Sequence, residues 1–459
     1  MSSFKAFKFL KSILLAIYTI TFISFPHIST ANELQTTNIS HILFGMAGSL
    51  KTWSNRSHYS ELWWKPNVTR GFVWMDETPL GMWPETFPPY KVSADTSRFK
   101  YTSWYGSRSA VRITRIVKES FELGLENVRW FVMGDDDTVF FTDNLVTVLA
   151  KYDHNQMYYI GGNSESVEQD VIYSYSTAFG GGGFAISYPL AAELVRILDG
   201  CIDRYAILYG GDQKIQACIS EIGVPITREF GFHQVDIRGN IYGFLAAHPV
   251  APLVSLHHVD YLKSIFPNLT RIDSFRKLFM AYEMDPSRIL QQSFCYDFQR
   301  KWSVSVSWGY TVQLYPSLLT VKQLETAFLT FQTWGSLSNG PFTFNTRPMS
   351  SDSDMSPVVY FLDRVERLGE GNTTTTYRRY TPSLAVQFVN VSAFNFSPAL
   401  WRKAPRRECC EVINGLDGMK NEVHVKIRSC GPFESVTPNY DNNVEGESDF
   451  FNPTPATTP

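Results

Sequence analysis

The chain has 459 residues, 44% of them hydrophobic and 19% charged, with a net charge of −3. That size and balance belong to a globular protein with a large core, long enough for two folded units. They give no basis for a nucleic-acid partner or for electrostatic attachment to an anionic membrane surface. Phe, Tyr and Trp supply 15% of the residues, a content that serves either a large aromatic core or stacking on sugars and bases.

The N-terminus reads as a targeting segment. Lys5, Lys8 and Lys11 precede an apolar run from Ile13 to Phe25, and the first acid is Glu33. This is the pattern of a secretory signal or a short signal-anchor. The run is shorter than the ~20 residues that usually span a bilayer. Cleavage after "HISTA" and an uncleaved anchor with the bulk of the chain in the lumen are both compatible with it. Residues 1–31 are therefore expected to be the membrane-contacting or cleaved segment, and 32–40 a short stem. Sequons at Asn38, Asn55, Asn67, Asn268, Asn372, Asn390 and Asn395 point to a lumenal compartment. The six cysteines agree with an oxidising one. Cys201 is expected to pair with Cys218. The vicinal Cys409 and Cys410 are expected to reach separate partners, with Cys295 and Cys430 available.

"HILFGMAGSL" (41–50) predicts a buried strand running into a turn of small residues, and "GFVWMDE" (71–77) a second strand ending in acids. A helix is expected between them, from Arg56 to Trp64. Residues 107–124 predict an amphipathic helix, with Val111, Ile113, Ile116, Val117 and Phe121 on one face and Gly124 as the stop. "RWFVMGDDDTVFF" (129–141) follows as a strand. "TDNLVTVLAKY" opens a helix with Thr142 or Asp143 as its N-cap. "YYIGG" and the end of "AFGGGGFAIS" (178–187) predict strands, and "YPLAAELVRILD" and "DQKIQACISEIG" (212–223) helices. Strands alternating with helices make an open α/β sheet. Past about residue 275 the pattern alternates as strands do, with Pro-, Ser- and Thr-rich breaks. Residues 41–275 are thus expected as one domain, 276–436 as a smaller β-rich one, and 437–459 as a disordered tail.

The chemistry starts at Asp135-Asp136-Asp137. Three carboxylates between apolar runs raise one another's pKa unless a cation or donors compensate. In a strand, residues two apart face the same way, so Asp135 and Asp137 are expected to converge on a divalent cation or a ribose hydroxyl. Hard oxygen ligands favour Mg²⁺ or Mn²⁺. Removing Asp137 is then expected to relieve a repulsion and leave the fold intact. A solvated turn or helix cap is the plainer reading. In "VSLHHVD" (254–260), His257 and His258 offer imidazole ligands. Asp212 opens a helix as an N-cap or faces a cleft as a proton acceptor. The run "FGGGGF" lets backbone approach a ligand.

In this order, "RGFVWMD", "RWFVMGDDDTVFF", "GGGGFAIS", "YGGD" and "LHHVD" resemble the Fringe-like β-1,3-glycosyltransferases, glycosyltransferase family 31. "DRYAILYGGDQKIQAC", "SVSWGY", "FNTRP" and "RRECC" are similar to its plant branch, long labelled a domain of unknown function. The Fringe-like resemblance covers about 38–270, and the plant-branch one runs to about 432. It implies a GT-A-type open mixed sheet flanked by helices, a UDP-sugar donor, Mn²⁺, a glycan or glycoprotein acceptor, and inversion at the anomeric carbon. The implied location is the Golgi lumen as a type II membrane protein, or secretion after signal cleavage.

By position, Asp137 is implied as the direct metal ligand, with Asp135, and His258 as the matching histidine, His257 being its reserve. Asp135 and Asp136 are implied near the ribose and donor sugar, Asp76 near the nucleotide, Arg56 in the first helix, and Gly181 and Gly182 along the donor or acceptor floor. Asp212 takes the place of the family's base, since Cys218 lies six residues on. Gly211 stands where the family has a first acid, which leaves that acid's supporting role unfilled.

Two rivals compete. "DDDTV" satisfies the D-x-D-x-V signature of haloacid-dehalogenase phosphatases, but that signature opens its domain, and here two strands precede it. The missing acid at Gly211 also admits a non-catalytic Golgi carbohydrate-binding or scaffolding protein on a transferase fold.

Overall fold

A computed structural model describes residues 36–350, 356–369, 371–380, 386–402, 405–413 and 422–437. The expected targeting segment and all but residue 437 of the expected tail lie outside them. Among the described residues no helix is long and apolar enough to cross a membrane.

Strands β1 (Ile42–Ala47), β2 (Gly71–Met75), β3 (Tyr90–Val92), β4 (Trp130–Asp135), β6 (Tyr159–Gly161), β7 (Phe184–Ser187) and β8 (Ile226–Arg228) form one sheet. The two-residue strand β5 (Val139–Phe140) lies outside it. The sheet order is β3-β2-β1-β4-β7-β6-β8. Only β7 runs against its neighbours β4 and β6; the other pairs are parallel. Parallel strands covered on both faces need apolar residues at successive positions, and β1 and β4 supply them. Ile42, Phe44, Trp130 and Val132 face one core, and Leu43, Phe131 and Met133 the other.

Helix α1 (Leu50–Ser60) starts six residues before the expected Arg56, because Ser49 caps it by accepting from Lys51 N at 3.3 Å. Helices α2 (Ser109–Glu122), α3 (Thr142–Leu149), α4 (Val167–Tyr173), α5 (Tyr188–Arg204) and α6 (Gly211–Ile222) follow. Neither Thr142 nor Asp143 caps α3: Phe141 holds the cap position. The Asp143 N–H instead donates to Tyr282 Oη at 2.8 Å, a tertiary contact made by α7 (Arg271–Met284). Helices α2, α5 and α6 cover one face of the sheet, and the Cys201–Cys218 disulfide ties α5 to α6 as expected.

The other face packs toward a closed barrel. Three short strands come first: β9 (Phe232–His233), β10 (Ile237–Gly239) and β11 (Ser255–Leu256). The barrel then takes β12 (Gln292–Asp297), β13 (Trp302–Ser307) and β14 (Thr311–Tyr315). It is interrupted by β15 (Ala327–Phe328), β16 (Phe331–Thr333) and β17 (Thr346–Arg347). It resumes with β18 (Val358–Arg367), β19 (Asn372–Arg379), β20 (Phe388–Phe394), β21 (Cys409–Ile413) and β22 (Glu422–Arg428). The barrel order is β12-β13-β14-β18-β19-β20-β22-β21, closed where Phe294 pairs with Cys409. Among the described residues, closure pairs every strand of the barrel on both sides. The vicinal cysteines do reach separate partners, as Cys295–Cys410 and Cys409–Cys430. From Ile39 onward the described chain is one compact unit. A single apolar core joins Phe44 and Val132 of the sheet to Val304, Val306 and Trp308 of the barrel region. Strand β16 leaves the barrel region and pairs with β10, which places Trp334 beside Asp236.

Candidate functional site

The aspartate triplet is a strand end followed by a tight turn. Asp135 closes β4, and Asp136 and Asp137 form the turn. Thr138 holds it: its hydroxyl accepts from Asp135 N at 2.8 Å and donates to Gly181 O at 2.7 Å. Asp135 and Asp137 do converge, but through this turn rather than through strand alternation. His257 Nε2 lies 3.1 Å from Asp137 Oδ1 and 3.7 Å from Asp135 Oδ2. The ligand-type atoms of Asp135, Asp137 and His257 all fall within 4.8 Å of one another.

His257 therefore takes the place expected for His258. The reason is backbone geometry after β11: His258 has φ 52°, which turns its ring away from its neighbour's partners. His258 Nδ1 lies 3.1 Å from Asp236 Oδ1, and its ring stacks on Trp334 at 3.9 Å with the planes 1° apart.

Asp136 points the other way. It is buried, accepting from Thr52 Oγ1 at 2.5 Å and from Arg56 at 2.9 Å. Arg56 also meets Asp137 at 3.2 Å and Asp260 at 3.1 Å, so it serves as the internal counter-ion of the triplet. Asp76 is apart from the cluster. It is exposed and accepts from Ser49 Oγ and Leu50 N, both at 2.8 Å, at the start of α1.

These contacts divide the three acids electrostatically. Burial, then the neighbouring Asp137 and Asp136 against the pull of His257, pushes Asp135 up to about 7. Burial also raises Asp136, opposed by Thr52 and Arg56. At Asp137 burial works upward too, but His257, Arg56 and His258 outweigh it and hold the carboxyl well below the usual range. These contacts run against the expectation that losing Asp137 relieves repulsion: Asp137 is the better compensated acid and Asp135 the less compensated one. His257 is raised to about 9, its two aspartates overcoming burial.

Asp135, His257, His258, Gly181 and Asp212 line one cleft of about 360 Å³. The glycine run is its backbone wall. A Cβ on Gly181 would fall 2.0 Å from the His257 ring, and one on Gly182 2.9 Å from Gln234 N. Asp212 is the second residue of α6 rather than its cap, which is Gly210. Its carboxylate accepts from Gln213 N at 2.9 Å and Gly180 N at 3.2 Å. Burial raises its pKa against those two N–H groups. At Gly211, where the Fringe-like resemblance implies an acid, a side chain would be crowded: a Cβ would meet Ile113 Cγ2 at 3.0 Å and Ala110 O at 3.2 Å on α2.

Sequence reasoning missed Asp236 and Trp334. Asp236 accepts from Ser164 Oγ at 2.6 Å and joins a buried set in which His233 lies between Glu165 (3.1 Å) and His248 (3.0 Å). Its apolar bracketing in "HQVDIRG" resembles that of the triplet and was the available signal. Nothing local marks Trp334, since only the β10–β16 pairing carries it there.

The site is thus an acidic-imidazole cluster at the strand ends of a mixed α/β sheet, with a separate carboxylate in the same cleft. The chain belongs to the family described as protein of unknown function, DUF604, which matches residues 169–410. The match takes in the glycine run, Asp212, both histidines and Trp334, and begins beyond the triplet. No curated protein matches the chain.

Proposed function

We propose that the chain is an inverting, metal-dependent glycosyltransferase of GT-A type. It would move a hexose or N-acetylhexosamine from a UDP-sugar to a hydroxyl of a glycan or glycoprotein, with a β-1,3 linkage as the resemblance implies. The observation that carries the reading is the Asp135–Asp137–His257 cluster, two of whose members, Asp135 and His257, line a cleft together with Asp212. The sheet order, with its one reversed strand beside β4, supports it, as do the three disulfides for a lumenal protein. Five sequon asparagines, Asn38, Asn55, Asn67, Asn268 and Asn395, are exposed, which suits the same compartment.

The residues suit a hard divalent cation. The set offers carboxylate oxygens and an imidazole nitrogen, and both Asp137 oxygens are buried without a hydrogen bond of good geometry. Asp135, Asp137 and His257 would hold Mn²⁺ or Mg²⁺, which neutralises charge on a diphosphate leaving group when bound. Asp212 accepts the proton of the acceptor hydroxyl, and burial strengthens it as a base. The N–H groups of Gly180 and Gln213 fix its orientation. Arg56 keeps the triplet from repelling itself before any ligand arrives.

The reading is tested by titrating the full chain with a panel of UDP-sugars in Mn²⁺, by calorimetry, and by following donor hydrolysis. One donor should bind well above the rest, and Asp212→Asn should keep that binding and lose turnover. If no UDP-sugar binds or is hydrolysed, and Asp212→Asn changes nothing in cells, the enzyme reading fails. A carbohydrate-binding protein on the same fold then takes its place, a reading favoured by the missing acid at Gly211.

A further inference from the structure

The part of the cleft that carries neither aspartate cluster nor histidine is lined differently. Tyr173 and Tyr209 stand beside Asp212, with Ser107, Ser109 and Gln169 as neutral hydrogen-bonding groups. A Cβ on Gly210 would touch both Asp212 Oδ1 (2.5 Å) and the Tyr173 ring (3.1 Å), so the ring and the carboxylate are immediate neighbours. Tyr209 meets Tyr173 edge to face, with centroids 6.0 Å apart. Tyr105 stacks on Tyr209 at 5.2 Å with planes only 7° apart, and Trp104 packs edge-on against Tyr105 at 5.0 Å. Trp104 is 88% exposed and Tyr105 56%. A row of rings thus leads from solvent to Asp212.

The row is held in place. Tyr101 Oη donates to Tyr209 O at 3.0 Å, and Thr102 N to Ala206 O at 3.0 Å. Gly106 lets the two segments close, since a Cβ there would meet Tyr101 Oη at 2.0 Å and Tyr209 Cδ2 at 2.9 Å. Large aromatic side chains bring most of their stabilisation through burial. Two of them fixed in water at the mouth of a cleft mark a surface built to be covered.

We propose that Trp104 and Tyr105 form the acceptor platform, and that the acceptor is a neutral oligosaccharide rather than a bare protein hydroxyl or a monosaccharide. This rests on the transferase reading. A pyranose presents an apolar C–H face for the rings and a rim of hydroxyls for Ser107, Ser109 and Gln169. Asp135, Asp236, His257 and His258 belong to the other part of the site, and Asp212, the proposed base, is the one charged group among the residues that line this part. Trp104 connects to Asp212 through Tyr105, Tyr209 and Tyr173 in turn, which sets a sugar stacked on it apart from the one whose hydroxyl reaches Asp212. The platform therefore reads a sugar further back along the chain.

The test is retention of the full chain on immobilised neutral β-linked galacto- and gluco-oligosaccharides and the matching monosaccharides, with UDP–Mn²⁺ calorimetry alongside. Wild type should be retained by an oligosaccharide and not by its monosaccharide. The W104A/Y105A double variant should lose roughly tenfold in affinity, while Trp104→Phe keeps it and UDP binding stays unchanged in both. Equal retention of the double variant overturns the proposal, as does absence of oligosaccharide binding by a wild type that binds UDP. A change of oligomeric state in the double variant overturns it as well, by making the shelf an interface between copies. Trp104-dependent retention without UDP binding would leave a carbohydrate site and remove its acceptor role together with the transferase reading.

Discussion

Replacing Gly181 with alanine tests the acidic cluster with one methyl group. The added Cβ would lie 2.0, 2.2 and 2.5 Å from Cε1, Nδ1 and Nε2 of His257. Ordinary contact begins near 3.4 Å, so the ring must retreat by about 1.4 Å. Gly181 has no positive φ, so alanine carries no backbone penalty and the effect is steric. His257 Nε2 stands 3.1 Å from Asp137 Oδ1. A shift of that size stretches this buried ion pair, and losing a buried polar contact costs about 1–3 kcal/mol. Displacing an imidazole that would ligate the metal should cost at least the roughly 10–100-fold in affinity that loss of a ligand's supporting contact does. Gly180→Ala is the control, because its Cβ meets nothing closer than Asp212 Cβ at 3.5 Å. Denaturant unfolding should show the loss for Gly181→Ala alone, and UDP–Mn²⁺ calorimetry the drop in affinity. If Gly181→Ala unfolds and binds like wild type, the placement of His257 against the glycine run is wrong.

Asp137→Ala should destabilise the chain by about 3–5 kcal/mol, since it breaks the buried pair with His257, while Arg56 keeps Asp136 and Asp260. Asp135→Asn should be neutral or stabilising in the same melts, because Asp135 is the acid its neighbours disfavour. Gly211→Glu, which supplies the acid that the Fringe-like resemblance implies there, should cost about 1–3 kcal/mol by overpacking against Ile113. Glu165, raised by burial and by Asp236 from the ordinary 4.5 to about 8, holds its proton more tightly folded than unfolded. Its contribution is present below pH 4.5 and declines as pH rises from there through about 8. Glu165→Gln should flatten the fall in melting temperature across that window, and an unchanged slope would count against the buried-acid assignment.

The sequence by itself determined the strand–helix alternation, because residues buried on both faces of a parallel sheet must be apolar at successive positions, and that pattern is local. It also determined the Cys201–Cys218 pair, two helical positions a short hairpin apart, and the separate partners of Cys409 and Cys410. The triplet Asp135–Asp137 was legible as a site because charge between apolar runs demands compensation.

Which compensation is used was decided by the tertiary structure. The roles within the triplet depend on the turn held by Thr138 and on Arg56 arriving from a helix 80 residues away. The choice of His257 over His258 depends on a single left-handed backbone conformation and on room that Gly181 leaves for the ring. The resemblance implied both Asp76, near the nucleotide, and Asp212, as the base, at the site. Folding sends the first to the start of α1 and the second into the cleft. Trp334 reaches His258 only through a strand added from the barrel region, and Tyr105 reaches Tyr209 only by stacking across 104 residues of chain. Contacts of that kind have no periodicity to read. They exist only when two distant segments are brought to one surface, which is the work of the packed sheet and barrel.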